Sequence, residues 1–252
     1  MKTQKNKETT VVMIRHAQSE WNRQNRFSGW ANPELTEAGK QEAIAAGRRL
    51  AEAGFRFDTV HCSRLDRAQT TARLVVHHSR SEDAEMRTDW RLNERHYGAL
   101  QGFNKAEMAT KVGEEQVWRW RRSYLDQPPK MAANDPEHVA HQAQWLDVPA
   151  DQVPNGESLA QTRQRVSEFW HEVIVPDMRA GKQILISSHG NTLRALLMEL
   201  SDMSVDEVES FEIPTGIPIL YRFDAKGSPL GWAYQESASQ DSASQLSANW
   251  AA

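Results

Sequence analysis

The 252-residue sequence predicts an α/β protein: a single domain built on a three-layer, doubly wound, mostly parallel sheet with helices on both faces and an inserted cap-like region. Two observations predict this fold. Short apolar runs of strand length alternate along the chain with longer stretches of helical periodicity. Two of these runs also end in His or Arg side chains, and strands of an open α/β sheet end at the edge where ligands bind.

The first half of the chain contains the pattern strand, helix, strand, helix. Residues 11–14 are a continuous apolar run and predict a buried strand. The helix that follows is expected to end at Gly54, because Gly is favoured just past the end of a helix. Residues 59–62 predict a second strand, and residues 65–76 predict the helix after it.

The second half contains the expected insertion and the rest of the sheet. Residues 90–124 are dense in charged and aromatic side chains, and we expect them to form an insertion rather than core, with helices over 105–111 and 114–124. The Pro-rich segment 127–155 predicts a long excursion over the surface, of the kind that often covers active sites. The other predicted elements are a helix over 157–179, a strand ending at Ser188, a helix through Leu200 and a strand over 217–223.

Composition limits the domain organisation and the partners. We expect a catalytic domain over 1–235 and a mobile tail over 236–252, which is rich in Ser, Ala and Gln. The formal net charge of −4 gives no overall attraction to nucleic acid or membranes. Cys62 has no second cysteine to pair with, and no apolar run approaches the ~18 residues of a membrane span. These features predict a cytoplasmic protein that binds neither nucleic acid nor membrane.

Two histidines follow predicted strands and could share one pocket: His16, directly after Arg15, and His189. Arg15 and Arg67 bring guanidinium forks that match two phosphate oxygens at once. A neutral imidazole beside a phosphate held in this way is placed to attack phosphorus and form a phosphohistidine. Glu94 would give the leaving alkoxide its proton and take it back on the return step. The arginines would supply the positive charge that metal ions supply in other phosphoryl-transfer sites, so no metal is expected.

Several blocks of sequence together carry a resemblance to a known family. They are Arg15-His16 with Ser19 and Asn22, then residues 25–30, 65–68, 90–98, 100–105, 120–124, 188–194 and 214–218. On these residues, from about 11 to 223, the chain resembles the histidine phosphatase superfamily and, within it, the cofactor-dependent phosphoglycerate mutases. An Arg-His pair alone occurs by chance in many proteins. The blocks around Glu94 and Arg121 are specific to the mutases.

The resemblance implies an enzyme of glycolysis and gluconeogenesis that interconverts 2-phosphoglycerate and 3-phosphoglycerate, small phosphorylated three-carbon acids, with 2,3-bisphosphoglycerate as primer. It implies that His16 is the phosphorylated nucleophile and that Glu94 is the proton donor. The residues implied around the phosphate of His16 are Arg15, Asn22, Arg67 and His189. Those implied to bind the substrate are Ser28, Gly29, Tyr97, Lys105, Arg121, Arg122 and Asn191. The resemblance also implies a homodimer or an oligomer built of dimers.

The sequence departs from the family pattern in two places. Ala17 stands where the family usually has Gly, and its methyl group would strain the backbone if that position needs a positive φ or a close approach to phosphate. The tail, which in the mutases is thought to help exclude water, lacks a Lys-rich character. Water matters because it can hydrolyse the phosphohistidine. The balance between mutase and phosphatase activity therefore stays open.

Other interpretations of these residues are also open. Glu94 could pair with Arg91 or Arg95 in a structural ion pair, and Arg121 with Arg122 could lie on a solvated helix face. His138 and His141 have a spacing that could bind a metal on a helix, but the surrounding segment offers no pattern for a third ligand. For the whole chain, the alternatives are a phosphomonoester hydrolase of the same fold and a non-catalytic phospholigand-binding protein. The retained Glu94 argues against the latter, since binding needs no proton donor.

Overall fold

A computed structural model describes residues 8–149 and 151–235, in which a six-stranded sheet lies between two layers of helices. The strands are β1 (Thr9–Arg15), β2 (Thr59–Cys62), β3 (Glu85–Thr88), β4 (Ile184–Ser188), β5 (Pro218–Phe223) and β6 (Pro229–Tyr234). The α-helices are α1 (Glu20–Arg23), α2 (Glu37–Glu52), α3 (Asp66–His78), α4 (Lys105–Val112), α5 (Glu114–Arg122), α6 (Leu159–Phe169), α7 (Val175–Arg179), α8 (Gly190–Ser201) and α9 (Val205–Ser210). The predicted tail, 236–252, lies outside the described residues.

The strand order is β3-β2-β4-β1-β5-β6. The first four strands in this order run parallel, whereas β5 is antiparallel to β1 and β6 is antiparallel to β5. The predicted α/β class and mostly parallel sheet are therefore confirmed. In the part of the chain described here, no helix is long and apolar enough to cross a membrane.

Alternate residues of the central strands face the two helix layers, which creates two hydrophobic cores. Val11 and Met13 of β1 pack in the core that includes α6 and α8. Val12 and Ile14 face the opposite way, into the core under α2 and α3. Side chains alternate across a strand with a period of two, so residues 11–14 of β1, which are buried on both faces of the sheet, are apolar at every position. This burial explains the unbroken apolar run.

The long predicted helix over 157–179 is helical from Leu159 to Arg179, with a π-helical turn at Trp170–Ile174 between α6 and α7. Pro176 lies just beyond this turn. A proline has no N–H to donate and its ring crowds the preceding turn, which accounts for the wider winding there. Four short strands or α-helices were not predicted, namely α1, β3, β6 and α9. The strands β3 and β6 lie at the two edges of the sheet and lack a continuous apolar run.

The predicted insertion lies outside the sheet and has a small core of its own, in which Tyr97, Leu100 and Val117 pack on Phe27. Leu92 is an exception to the prediction, because it belongs to the main core beside α6 and α8. The excursion over 127–155 contains two short 3-10 turns, and its Trp145 packs on Trp30 with 4.7 Å between ring centroids.

Candidate active site

The register of β1 and β4 brings the two predicted histidines together. Arg15 is paired with Ser188, and the N–H of His16 donates to the carbonyl of Ser188 at 2.8 Å. The rings of His16 and His189 follow directly, with 5.0 Å between their centroids. Both strands end at the same edge of the sheet because they are parallel. The two histidines are therefore adjacent at this edge of the sheet, with His189 packed against His16.

The two ring nitrogens of His16 have different roles. Nδ1 lies 2.8 Å from the carbonyl of Ala17, which can only accept, so Nδ1 carries the proton and Nε2 keeps its lone pair. Burial, and then the charges of Arg67 and Arg15, hold the pKa of His16 well below its usual value. The ring is therefore neutral, and its Nε2 carries no proton, as a nucleophile requires.

Arg67 and Arg15 approach this histidine with buried guanidinium groups. Arg67 donates from Nε to His16 Nε2 at 3.3 Å, and its other nitrogens donate to the carbonyls of Ala31 and Gly29 at 2.6 and 2.8 Å. Arg15 donates to the carbonyl of Ile213 at 2.6 Å. Burial lowers the pKa of Arg67 to about 10, which still leaves it charged at neutral pH.

Two buried nitrogen atoms in this pocket have no hydrogen-bond partner among the described residues: Arg15 Nε and His189 Nδ1. The other nitrogen of His189, Nε2, lies 2.7 Å from the Ser63 hydroxyl, which itself donates to Asn93. Burial, followed by the charge of Arg67, keeps the pKa of His189 well below its usual value. A buried N–H without a partner is costly, and an anion bound beside His16 would accept from Arg15 Nε. Neutral His189 donates from Nε2 to Ser63, so its Nδ1 carries no proton to give an anion.

Glu94 is fixed by one of its two carboxylate oxygens. Oε1 accepts the backbone N–H groups of Arg95 at 2.8 Å and of Asn191 at 3.2 Å. No described residue donates to Oε2, which leaves that oxygen of Glu94 available to a ligand in the cavity. Asn191 lies in the first turn of α8, where the helix dipole also favours a bound anion. The structural ion pair considered for Glu94 is absent from the described residues, because Arg91 pairs instead with Asp89 and Glu172.

These groups surround one cavity of about 100 Å³. Of the predicted site residues, those on its wall are Arg15, His16, Asn22, Ser28, Arg67, Glu94, Tyr97, Lys105, Arg121, Arg122 and Asn191. Two lie behind the wall: His189, which packs on His16, and Gly29, whose carbonyl holds Arg67. The wall also contains five residues that sequence analysis missed, Arg26, Gly190, Arg194, Glu212 and Ile213.

Positive charge dominates the wall, with seven Lys or Arg side chains against two carboxylates, Glu94 and Glu212. Both Arg121 and Arg122 belong to it, so the solvated-face interpretation of this pair is wrong. Burial lowers the pKa of Lys105 to about 8, and its ammonium lies 5.7 Å from the centre of the Phe27 ring. Keeping so many cations together opposes folding, and bound anions offset this cost.

For two of the missed residues, the sequence contains a signal that could have predicted them. Arg194 lies one turn after Asn191 on α8 and donates to its Oδ1 at 3.0 Å, so the two share a helix face. Arg26 is two residues before Ser28, in a block already connected with substrate. Glu212 and Ile213 carry no local signal. Only the path of the chain between α9 and β5 places them here.

Asn22 and its neighbour Ser19 form the start of α1. The Ser19 hydroxyl accepts the N–H of Asn22, and the Asn22 side chain accepts the N–H of Ser19, which is a capping box. This fixes Asn22 beside His16. His138 and His141 have ring centroids 5.5 Å apart, and within 8–149 and 151–235 no group of three or more His, Cys, Asp or Glu is placed to hold a metal.

Comparison with known proteins agrees with this geometry. A sequence model of the histidine phosphatase superfamily (branch 1) matches residues 11–144 and 130–230. The chain is 46% identical over 224 residues to a 2,3-bisphosphoglycerate-dependent phosphoglycerate mutase of Nitratidesulfovibrio vulgaris strain DP4, covering 89% of this chain and 90% of that protein. A mutase of the same name from strain DSM 19637 / Miyazaki F is 45% identical over 225 residues, with the same coverage.

Solved structures share the fold at lower identity. The Bacillus stearothermophilus protein YhfR superposes with a TM-score of 0.69 at 23% identity, covering 92% of this chain and 98% of that one. A protein described as mycobacterial hydrolase 1 gives a TM-score of 0.68 at 20% identity, with 92% and 99% coverage. The cavity, the motifs and these relatives agree: the chain belongs to the histidine phosphatase superfamily and, within it, to the family of enzymes named 2,3-bisphosphoglycerate-dependent phosphoglycerate mutases.

Proposed function

We propose that the protein interconverts 2-phosphoglycerate and 3-phosphoglycerate through a phosphohistidine at His16. The observation that carries this proposal is the surplus of cations on one cavity wall. Arg15 and Arg67 are enough to hold the phosphate next to His16. Lys105, Arg121 and Arg122 lie on the same wall and would bind a second and a third anionic group. A ligand with a phosphate and a carboxylate on three carbons fits this arrangement.

The primer 2,3-bisphosphoglycerate fits the residues present. Two phosphates and a carboxylate would lie among the seven cations of the wall, and Arg15 Nε is a buried donor without a hydrogen-bond partner among the described residues. One phosphate would lie among Arg15, Asn22 and Arg67, and the other anionic groups would lie toward Lys105 and Arg122. When bound, 2,3-bisphosphoglycerate supplies the phosphoryl group that loads His16.

The residues around His16 would have separate roles in phosphoryl transfer. His16 Nε2 donates its lone pair to phosphorus while the ester P–O bond breaks, and Arg67 and Arg15 stabilise the negative charge on the phosphoryl oxygens. The departing hydroxyl oxygen takes its proton from Oε2 of Glu94. On return, Glu94 removes the proton of the acceptor hydroxyl, and the P–N bond at His16 breaks. In each cycle the phosphohistidine passes its phosphoryl group to the free hydroxyl of the monophosphate. His16 then takes the phosphoryl group from the other hydroxyl, which leaves the isomeric monophosphate and restores the phosphohistidine.

A phosphatase differs only in the acceptor, which is then water, so one experiment separates the candidates. Purified protein is mixed with 3-phosphoglycerate, with and without catalytic 2,3-bisphosphoglycerate, and both 2-phosphoglycerate and free phosphate are followed. We expect primer-dependent 2-phosphoglycerate with little phosphate. Rapid phosphate release without isomerisation would identify a hydrolase, and no turnover of either kind would favour a binding protein.

The variant His16→Ala should form no acid-labile phosphoenzyme when incubated with radiolabelled primer. His141→Ala is the control, since His141 is exposed and remote from the cavity. Continued labelling of His16→Ala would assign the nucleophile to another residue.

A further inference from the structure

Glu212 is the second carboxylate of the cavity wall, and the reaction proposed above does not use it. It lies in the segment between α9 and β5. Its side chain is 67% exposed, and it forms an ion pair with Arg122, whose side chain is only 15% exposed. An acidic side chain therefore already occupies one of the cations assigned to the ligand's further anionic groups.

The backbone on either side of Glu212 is held by contacts that do not need its carboxylate. The carbonyl of Phe211 accepts from Arg122 at 3.4 Å, and the carbonyl of Ile213 accepts from Arg15 at 2.6 Å. The carbonyl of Glu212 itself accepts the Tyr234 hydroxyl at 3.1 Å. Removing the charge at 212 should thus leave the segment in place and change only the electrostatics of the cavity.

We propose that Glu212 is a specificity-determining residue, an internal counter-anion that the ligand must displace from Arg122. The inference rests on the proposed function only in assigning Arg122 to a second anionic group. An exposed carboxylate is a weak partner, because water and salt screen it. A ligand carboxylate or second phosphate displaces it readily. A ligand with one phosphate and no second anion has nothing with which to displace it.

This arrangement lowers the affinity of the cavity for ligands that bind Arg122, and it also makes the cavity select among ligands by their second anionic group. A ligand with a single anionic group, or with a neutral alcohol in this position, gains nothing at Arg122, because Glu212 stays there. For a ligand with a second anionic group, the gain in binding free energy at Arg122 is the difference between its own contact with Arg122 and the contact of Glu212. Glu212 also keeps the net charge of the empty wall lower, so Arg121 and Arg122 repel each other less when no ligand is bound.

The test compares equilibrium binding of two probes that cannot be isomerised, 2-phosphoglycolate and inorganic phosphate, by calorimetry at low ionic strength. The proteins are wild type, Glu212→Gln and Asp206→Asn. The last variant has the same change of charge on neighbouring α9, away from the cavity wall. We expect Glu212→Gln to bind 2-phosphoglycolate about three- to tenfold more tightly than wild type. Its affinity for phosphate should change less than about twofold, and Asp206→Asn should match wild type.

Three results would overturn the inference. Weaker or unchanged binding of 2-phosphoglycolate by Glu212→Gln would mean that Glu212 only positions Arg122 or has no role. Equal tightening of both probes would mean a general effect of charge. A wild type that binds 2-phosphoglycolate no better than phosphate would mean that no second anion reaches Arg122. Failure of the proposed function is seen separately, in the isomerisation assay.

Discussion

Ala17, which stands where the resemblance leads us to expect Gly, lies in an unstrained backbone conformation. Described non-glycine residues with positive φ are Asn25, Arg80 and Asp202, so Ala17 lies in an ordinary backbone conformation. Its methyl group is buried against Leu35 and Ala43, on the side of α2. Its N–H donates to Thr71 and its carbonyl accepts from His16. The strain considered from sequence is absent, because the side chain points into the core.

Glu94→Gln should lower kcat by about 10²- to 10⁴-fold with little change in KM. The amide oxygen of Gln can still accept the N–H groups of Arg95 and Asn191, so the side chain stays in place. Its nitrogen cannot give up a proton to the leaving oxygen. Steady-state kinetics on 3-phosphoglycerate would check this. A raised KM at unchanged kcat would show that Glu94 binds substrate and transfers no proton.

Lys105 should make ligand binding depend on pH above neutrality. Its pKa is lowered to about 8, chiefly by burial, so the ammonium is charged below pH 8 and neutral above it. The affinity for an anionic ligand should therefore fall as pH rises from 7.5 to 9, by up to about tenfold per pH unit. Lys105→Arg keeps its charge throughout this range and should give a flatter profile. Parallel profiles of kcat/KM for the two proteins would rule out Lys105 as the titrating group.

At the scale of elements, α6 holds the segment that carries Glu94. Arg165 of α6 donates to the carbonyls of Arg91, Asn93 and Glu94, at 2.7, 3.0 and 3.1 Å. It also forms a buried ion pair with Glu157, whose Oε2 accepts the N–H of His96 at 2.7 Å. Glu94, the proposed proton donor, is thus held in place by a side chain of α6.

Arg165→Ala should cost about 3–5 kcal/mol of unfolding free energy, because it leaves Glu157 buried without its cation. It should also lower kcat, since three carbonyls next to the proton donor lose their partner. Arg163→Ala is the control on the same helix. Its pair with Glu199 is partly exposed and should be worth less than about 1 kcal/mol. Urea unfolding of both variants measures the difference, and equal losses would contradict this role for Arg165.

Sequence patterns predicted the elements whose faces are buried. The strands β1, β2 and β4 are buried at every position except Thr9, Thr10 and Arg15 of β1, and α2 has a regular buried face. The edge strands β3 and β6 escaped prediction because most of their residues are exposed or half-buried and follow no alternation. The π-helical turn escaped as well, since a period of 3.6 does not distinguish one wider turn within a long helix.

At the scale of the whole molecule, four histidines are buried in the neutral state. Burial is the largest cause of the lowered pKa of His16, His61, His96 and His189. A group whose pKa is lower in the folded state binds protons more readily when unfolded. Its contribution to stability is complete above pH 6.5 and is lost as pH falls toward the folded pKa. We therefore expect the protein to lose stability below pH 6.5.

The variant His96→Asn should lose less stability than the wild type when the pH falls below 6.5. The pKa of His96 is lowered to about 4, so its titration alone should remove about 2 kcal/mol of unfolding free energy between pH 7 and pH 5. An Asn side chain can still accept the N–H of Gly98, which bonds to His96 Nδ1 at 3.0 Å. Urea unfolding of wild type and variant at both pH values is the measurement. An equal loss in the two proteins would mean that other groups cause it.

The site as a whole was only partly predictable. The pairing of His16 with His189 followed from two strand ends, and the set of cations followed from family resemblance. The place of Glu212 depends on a loop that the sequence does not describe locally, and the anchoring of Glu94 depends on Arg165, more than seventy positions away. Contacts over such separations depend on tertiary packing, which periodicity does not report.

The strand order has a consequence for synthesis of the chain. Strand β4 lies between β1 and β2, so these two have no hydrogen bonds to each other and depend on a strand made much later. We expect a fragment that ends before β4 to stay sensitive to protease, because two core strands then lack their common partner. On the ribosome, His16 and Arg67 are made early, but we expect them to come together only after β4 has emerged. The proposed binding of phosphate should therefore be among the last properties that the growing polypeptide acquires.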